Sequence, residues 1–406
     1  MSCHKAQRIS ASKRLRGLVG AVVLAWAGAA SAQDAIKVGL VGPFTGGSAP
    51  LGVSIRDGVK LAVAELNAKG GLGGRKIELV ERDDESKPER GIQIAQELIN
   101  NEKIMGAVGI ANTPVALAAS RFYQEARTPI IIPVATGSVV SRQFLSPEHK
   151  QNYIFRIGAF DTIQSAMMAE EMVSKRGVKK VAILADSTNY GQLGKDDLVR
   201  ALEKIGVKAV AIEKFNVRDV DMTPQLLKAR AAGAEGVFGY ALGPDLAQIA
   251  NSMAKIGWKV PYVTSWNSSM SNYIDNAGAN GEGVYMPQTF IQEGGVSTRW
   301  ADFIKAYQAA YGADRIPSPS SAAQSYDAML LLAAAIAQAG AGANGEAIKQ
   351  ALEDLREPVT GVIATYSKPF SADDHEATDA AHVVFGVVRN GRVAFANEAD
   401  KAKVGR

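Results

Sequence analysis

Residues 36–43 run Ile36-Lys37-Val38-Gly39-Leu40-Val41-Gly42-Pro43, a short apolar run closed by Gly-Pro. Such a run is a buried strand stopping at a turn. Gly58, Leu61, Ala62 and Leu66 then recur at near-helical spacing, and Lys69-Gly70-Gly71 ends that helix. Outward from there the alternation continues. Residues 77–80 read as a strand, and a helix opens at Pro88 with Ile92, Ala95, Leu98 and Ile99 on one face. Strand 107–110, helix 115–125 and strand 130–134 complete the series. Parallel strands joined by right-handed helical crossovers pack this rhythm.

A second series follows Phe155-Arg156: helix 163–175, strand 181–184, helix 193–205, strand 209–212, helix 224–231, strand 236–240, helix 246–256 and strand 262–264. The expected fold is α/β, two Rossmann-like lobes in tandem, with ligand sites at the carboxyl ends of the strands and a cleft between the lobes. Helices near 300–311, 321–338 and 346–355 precede strands at 359–366 and 383–396. The chain is therefore expected to return to lobe one and cross again. That gives lobe one as 33–156 plus 287–362, and lobe two as 157–286 plus 363–406, with several crossings making a hinge suited to closure.

Over 406 residues, 47% hydrophobic and 21% charged, the composition is that of a globular chain long enough for two domains. Lys5, Arg8, Lys13, Arg14 and Arg16 form a basic head without an acid, followed by the apolar run 18–27 and Ala30-Ser31-Ala32. This is an export signal, expected to be cleaved after residue 32. Without its five cations the chain carries 40 basic and 41 acidic side chains, a net charge of −1, which gives no electrostatic case for nucleic acid. The single cysteine, Cys3, lies in the leader, so no disulfide, thiolate metal site or lipid anchor on an N-terminal cysteine is expected.

Catalytic patterns are missing. The loop 42–48 has neither Gly-Lys-Ser/Thr nor G-x-G-x-x-G, and Gly340-Ala341-Gly342-Ala343-Asn344-Gly345 matches the latter only between two helices. There is no G-x-S-x-G elbow and no H-E-x-x-H. His375 and His382, beside Glu376 and Asp379, read as an acidic loop rather than a metal site, and Asp83-Asp84-Glu85 as a polar turn. No enzyme activity, cofactor or metal is expected. An exported α/β hydrolase is the alternative from another class.

Val41-Gly42-Pro43-Phe44-Thr45-Gly46, residues 66–75, Asp83-Asp84, Val108-Gly109, Pro133-Val134-Ala135-Thr136, Phe155-Arg156 and Asp186-Ser187-Thr188-Asn189-Tyr190-Gly191 lie in one order and spacing. Together they resemble the periplasmic substrate-binding proteins of branched-chain amino acid ABC importers. The resemblance implies a type I binding-protein fold with a three-crossover hinge. It implies a soluble periplasmic receptor, a monomer, that hands a small solute to a membrane permease; a ligand-sensing subunit of the same fold is the runner-up. It also implies that Asn112, Thr113, Ala135 and Thr136 grip a ligand's carboxylate and ammonium, with Tyr190 as a lobe-two wall. Thr113 suits an anion at a helix start, and reads as an N-cap with Pro114 at the first helical position.

This chain departs from the amino-acid binders at the position where they carry a lobe-two acid. Trp266 stands there, in Thr264-Ser265-Trp266-Asn267-Ser268-Ser269. The loop at Tyr240-Ala241-Leu242 lacks the family's paired aromatics, and Leu51 replaces a lobe-one aromatic. A buried ammonium without a counter-charge costs about 3–5 kcal/mol, or two to three and a half decades of affinity. The expectation is a site that keeps its carboxylate grip and has lost its ammonium grip. Phe44, Tyr190 and Trp266 would stack on an aromatic or apolar carboxylate, with a branched-chain amino acid as the other candidate.

Overall fold

The computed structural model describes residues 1–2, 34–145, 149, 151–295, 297–340 and 342–404. The expected export leader, Cys3 included, lies outside the described residues apart from Met1 and Ser2. Residues 1–35 form a unit separate from Ile36–Arg406, whose fold follows.

β1 (Ile36–Gly42), α1 (Ala49–Ala68), β2 (Ile77–Asp83), α2 (Pro88–Asn100), β3 (Gly106–Gly109), α3 (Thr113–Glu125), β4 (Ile130–Ile132) and β5 (Ile154–Arg156) come first. Their sheet has the order β2-β1-β3-β4-β5, with every pair parallel. Its central strands β3 and β4 are wholly buried, as strands covered on both faces must be. The chain then crosses into α4 (Asp161–Ala169), continued by a π-helical stretch to Lys175, and β6 (Val181–Asp186). α5 (Asn189–Lys204), β7 (Ala211–Phe215), α6 (Thr223–Ala231), β8 (Gly236–Tyr240), α7 (Gly243–Lys255), β9 (Tyr262–Thr264), α8 (Ser271–Ala277) and β10 (Tyr285–Gln288) follow.

α9 (Thr298–Tyr311), α10 (Pro319–Ala339) and α11 (Gly345–Glu353) return to the first lobe, where α10 lies along α1 and reaches β3 and β4. α10 is built mostly from Ala, Ser and Leu and is buried along most of its length. It approaches α1 so closely that a Cβ on Gly58 would sit 2.2 Å from the Ala322 carbonyl oxygen. Two-residue strands β11 (Val359–Thr360) and β12 (Thr365–Tyr366) precede β13 (Val384–Arg389) and β14 (Arg392–Phe395). The second sheet has the order β14-β13-β10-β9-β8-β6-β7.

Four features differ from the sequence expectations. The second sheet is not wholly parallel, because β13 runs antiparallel to both β10 and β14. The single strand expected over 383–396 is a hairpin: Asn390 and Gly391 hold φ of 53° and 68°, and two successive left-handed residues form the turn that matches strand twist. Residues 359–366 pair only with each other, outside both sheets. The lobe-one boundary at 287 falls inside β10, so Pro287 and Gln288 belong to the second sheet.

The crossings are tied together. Arg156, fully buried, donates from Nε and Nη2 to Glu376 at 2.7 and 2.6 Å and from Nη1 to the Gly137 carbonyl at 2.7 Å. His375 stacks on Phe155 at 3.9 Å, and its ring nitrogens meet the Ile154 carbonyl and Glu353. Asp327 of α10 accepts the N–H groups of Val362 and Ile363 and the Tyr366 hydroxyl, fixing the start of the last crossing.

Candidate functional site

A cleft of about 640 Å³ opens between the two sheets. Its walls are the segments that follow the carboxyl ends of β1, β2, β3 and β4 on one side and of β6, β7, β8 and β9 on the other. Parallel sheets leave their ligand sites at such ends.

On the first-lobe wall, Ile110 follows β3 with φ of 70°, an unfavourable value for a β-branched residue that turns Ala111–Pro114 toward the cleft. Asn112 caps α3 and Thr113 is its first residue, so the expected N-cap moves back by one. The Thr113 hydroxyl accepts the Gly137 N–H at 3.2 Å, tying the turn after β4 to the start of α3. Asn112 Nδ2 donates to Ser48 Oγ at 3.2 Å. That leaves Asn112 Oδ1 and Thr136 Oγ1 buried at the cleft without a hydrogen-bond partner among the described residues. Helix α3 directs its N-terminus here, which favours an anion. Beside it, Asp83 accepts the Phe44 and Glu85 N–H groups and the Thr45 hydroxyl, and Asp84 the Ser86 N–H, so this acidic trio is a polar turn that presents Glu85, Ser86 and Lys87 to the cleft.

On the second-lobe wall, Tyr190 packs on Tyr240 with centroids 5.3 Å apart, and its phenol oxygen accepts Asn267 Nδ2 at 2.9 Å. Burial raises the Tyr190 phenol well above its usual value, so it stays neutral. Trp266 is pinned through its backbone, its N–H donating to Gln164 and its carbonyl accepting from Gln288, while its indole Nε1 has no partner among the described residues. The two walls meet at the mouth, where Asn272 Nδ2 donates to the Gly47 carbonyl at 2.9 Å.

Of the residues nominated from sequence, Leu51, Asn112, Thr113, Thr136, Tyr190 and Trp266 line this cleft. Three do not. Phe44 turns aside under the Arg56 guanidinium, 5.6 Å from its ring centroid. Ala135 is buried behind Thr136, where its carbonyl accepts from Arg156. Tyr240 stands behind Tyr190 in space that only a glycine at 194 leaves open, since a Cβ there would come within 1.9 Å of its ring.

Several cleft residues were not anticipated. The turn Val217–Val220 carries Arg218 at φ of 72° and an almost fully exposed Val220. Asp245, buried, accepts the Arg218 N–H at 2.9 Å, and burial pushes its carboxyl up to about 6. Lobe two thus brings Asp219 and Asp245 to the cleft from the β7 and β8 loops, although the β9 loop that carries Trp266 has no acid. A charged residue four or five positions beyond a strand was the available signal. Histidines 375 and 382 belong to the crossing and to a cap on Asp379, away from the cleft.

A hinged pair of α/β lobes with a site between their strand ends defines a two-lobed solute-binding protein. The chain matches the family described as "Periplasmic binding protein" over residues 35–391, and it belongs to that family. An "Amino acid binding protein" of Pseudomonas aeruginosa is 33% identical over 223 residues, which cover 55% of this chain and 58% of that relative. The match therefore spans less than two thirds of that protein. A type 1 periplasmic binding protein from Bordetella pertussis Tohama I superposes with a TM-score of 0.80 at 28% identity, over 89% of this chain and 99% of the other. The substrate-binding protein LivJ of a branched-chain amino acid transporter from Streptococcus pneumoniae, crystallised with isoleucine, gives 0.77 at 26% identity over 88% and 97%. Among the described residues no helix is long and apolar enough to cross a membrane.

Proposed function

We propose that this chain is the periplasmic solute-binding component of an ABC importer, clasping a small carboxylate between its lobes and delivering it unchanged to a membrane permease. The observation that carries this reading is the meeting of Asn112, Thr113 and Thr136 with Tyr190 and Trp266 in one cleft. Neutral hydrogen-bonding groups and the α3 N-terminus lie on one wall, and aromatic faces lie on the other. A ligand touching both walls binds the closed state better than the open one and so drives closure. The Pseudomonas relative's name and the isoleucine held by the Streptococcus protein support an amino acid or a similar small acid as solute. The Trp266 ring and the apolar lining from Leu51, Val134 and Leu242 suit an apolar body.

Among the described residues no nucleophile, base and oxyanion-stabilising group converge in the cleft, which supports binding without turnover. The lobes that open and close are 36–156 with 289–362, and 157–288 with 363–404. A thermal-shift panel of amino acids, benzoate-type and phenylpropanoid acids, and short acyl carboxylates tests the reading. Binding at 100 times Kd contributes about 2.7 kcal/mol, a clear rise in the melting midpoint. A hit that survives intact after incubation supports a carrier, whereas ester or amide cleavage would identify a hydrolase.

A further inference from the structure

We propose that Arg218 receives a second carboxylate, at the far end of a solute whose first carboxylate lies against the start of α3. The proposal rests on the cleft reading above and names what the ligand carries beyond its apolar body. β2 and β7 are the edge strands of their sheets, at the ends away from the crossings, which run from β5, from β10 and into β13. The turns that follow them therefore close the outer end of the cleft, with Glu85 and Lys87 on one wall and Arg218 and Asp219 on the other. Two strand spacings, about 10 Å, separate the turn after β2 from the turn after β3 that carries Asn112 and Thr113. An extended solute spans that length, and a cleft of about 640 Å³ has room for it.

Five charged residues line the cleft: Glu85, Lys87, Arg218, Asp219 and Asp245. Asp219 accepts the Asn216 N–H at 2.9 Å, Asp245 accepts the Arg218 backbone N–H, and Glu85 holds Lys87 at 2.6 Å and Arg90 at 3.2 Å. Among the described residues Arg218 alone has neither hydrogen bond nor ion pair on its charged group. Closure does not supply one. The walls already touch at Asn272 and Gly47, yet no ion pair joins Arg218 to Glu85, or Lys87 to Asp219, among the described residues.

The backbone shows that this turn is held in place at a cost. Arg218 sits at φ of 72°, in the left-handed region where glycine is free of strain, and buried Asp245 fixes it there. A guanidinium meets a carboxylate through two parallel N–H groups, which reads orientation as well as charge. Lys87 can add a second cation from the first lobe, since Glu85 keeps Arg90 when Lys87 turns to the solute. Asp219 and Asp245 temper the attraction, so the preference for a second carboxylate is about tenfold rather than that of an isolated pair.

The test titrates the full chain calorimetrically with end-matched acids: hexanoate, octanoate and decanoate against hexanedioate, octanedioate and decanedioate, and L-norleucine against L-2-aminohexanedioate. Each pair shares a first carboxylate and an unbranched body, and differs by a methyl or a carboxylate at the far end. In at least one pair the wild type should bind the two-carboxylate member at least about tenfold more tightly, and Arg218→Gln should bring that ratio to about twofold or less. Arg218→Gly removes the side chain and relieves the backbone, so the ratio should collapse without a fall in the melting midpoint, which separates recognition from a folding defect. The proposal is overturned if no pair shows the preference, if the preference survives in either variant, or if none of these acids binds. The cleft reading fails on a different outcome: binding of any of these acids that is indifferent to both Thr113→Ala and Tyr190→Ala.

Discussion

Asp161 and Thr136 lie side by side at the first crossing, the Asp161 N–H donating to the Thr136 carbonyl at 2.9 Å. Burial, the largest effect, pushes the Asp161 carboxyl up to about 7 against the pull of Thr136, Tyr240 and Arg156, and Asp197 opposes ionisation further. The folded chain keeps this proton to a higher pH than the unfolded chain does, so stability should fall as the pH rises from about 4 to about 7 and level off above it. Asp161→Asn should flatten that fall and Asp245→Asn its part below about 6, and the melting midpoint followed against pH reads both. Thr113 works by another route. Thr113→Ala removes the acceptor for the Gly137 N–H and should weaken a carboxylate ligand by roughly 1–2 kcal/mol, with Thr113→Ser nearly neutral. Asn112, Thr113, Thr136 and Tyr190 were named through the family resemblance, and all four line the cleft because each follows the end of a strand. Asp161 was not legible. An acid at a helix start is ordinary in sequence, and what makes this one unusual is burial among side chains distant along the chain.

At the scale of elements, most strands that the sequence displayed are buried on both faces, where an apolar run suffices as a signal; the edge strands β2 and β7 are the exceptions. β10 escaped because Pro287 sits within it, and a proline argues against a strand; here it pairs with Phe385 of an antiparallel neighbour. The hairpin at Asn390-Gly391 was announced by its dipeptide and read as one strand for want of a contact. The α1–α10 packing was invisible, since no pattern says which glycine faces a helix. Gly58→Ala should force the helices apart and destabilise the chain by about 1–3 kcal/mol, whereas Gly73→Ala, with open space around it but φ of 59°, should cost no more than about 1 kcal/mol. Thermal unfolding of the two variants side by side checks the contrast.

For the whole molecule, the crossings must guide closure without locking it. Arg156 and Glu376 clamp the first and last crossings on the lobe-one side, and Arg156→Met leaves the Glu376 carboxylate with the Ser141 hydroxyl but no counter-charge, a loss of about 3–5 kcal/mol expected as a lower melting midpoint. The two-lobed α/β architecture could be read from the rhythm of strands and helices. The antiparallel end of the second sheet could not, since it depends on how the last crossing returns. Closure itself has a direct readout: the radius of gyration in solution should fall when the solute binds, and the exposed Val217 and Val220 at the cleft rim should lose exposure.

The decisive measurement is a crystal structure of the full chain with the tightest ligand of the thermal-shift panel. Its carboxylate should lie against Asn112 and Thr113, its body between Leu51 and Trp266, and any amine near Thr136. A ligand seated outside the cleft, or one recovered chemically changed, would contradict a receptor that clasps its solute between two lobes and releases it intact.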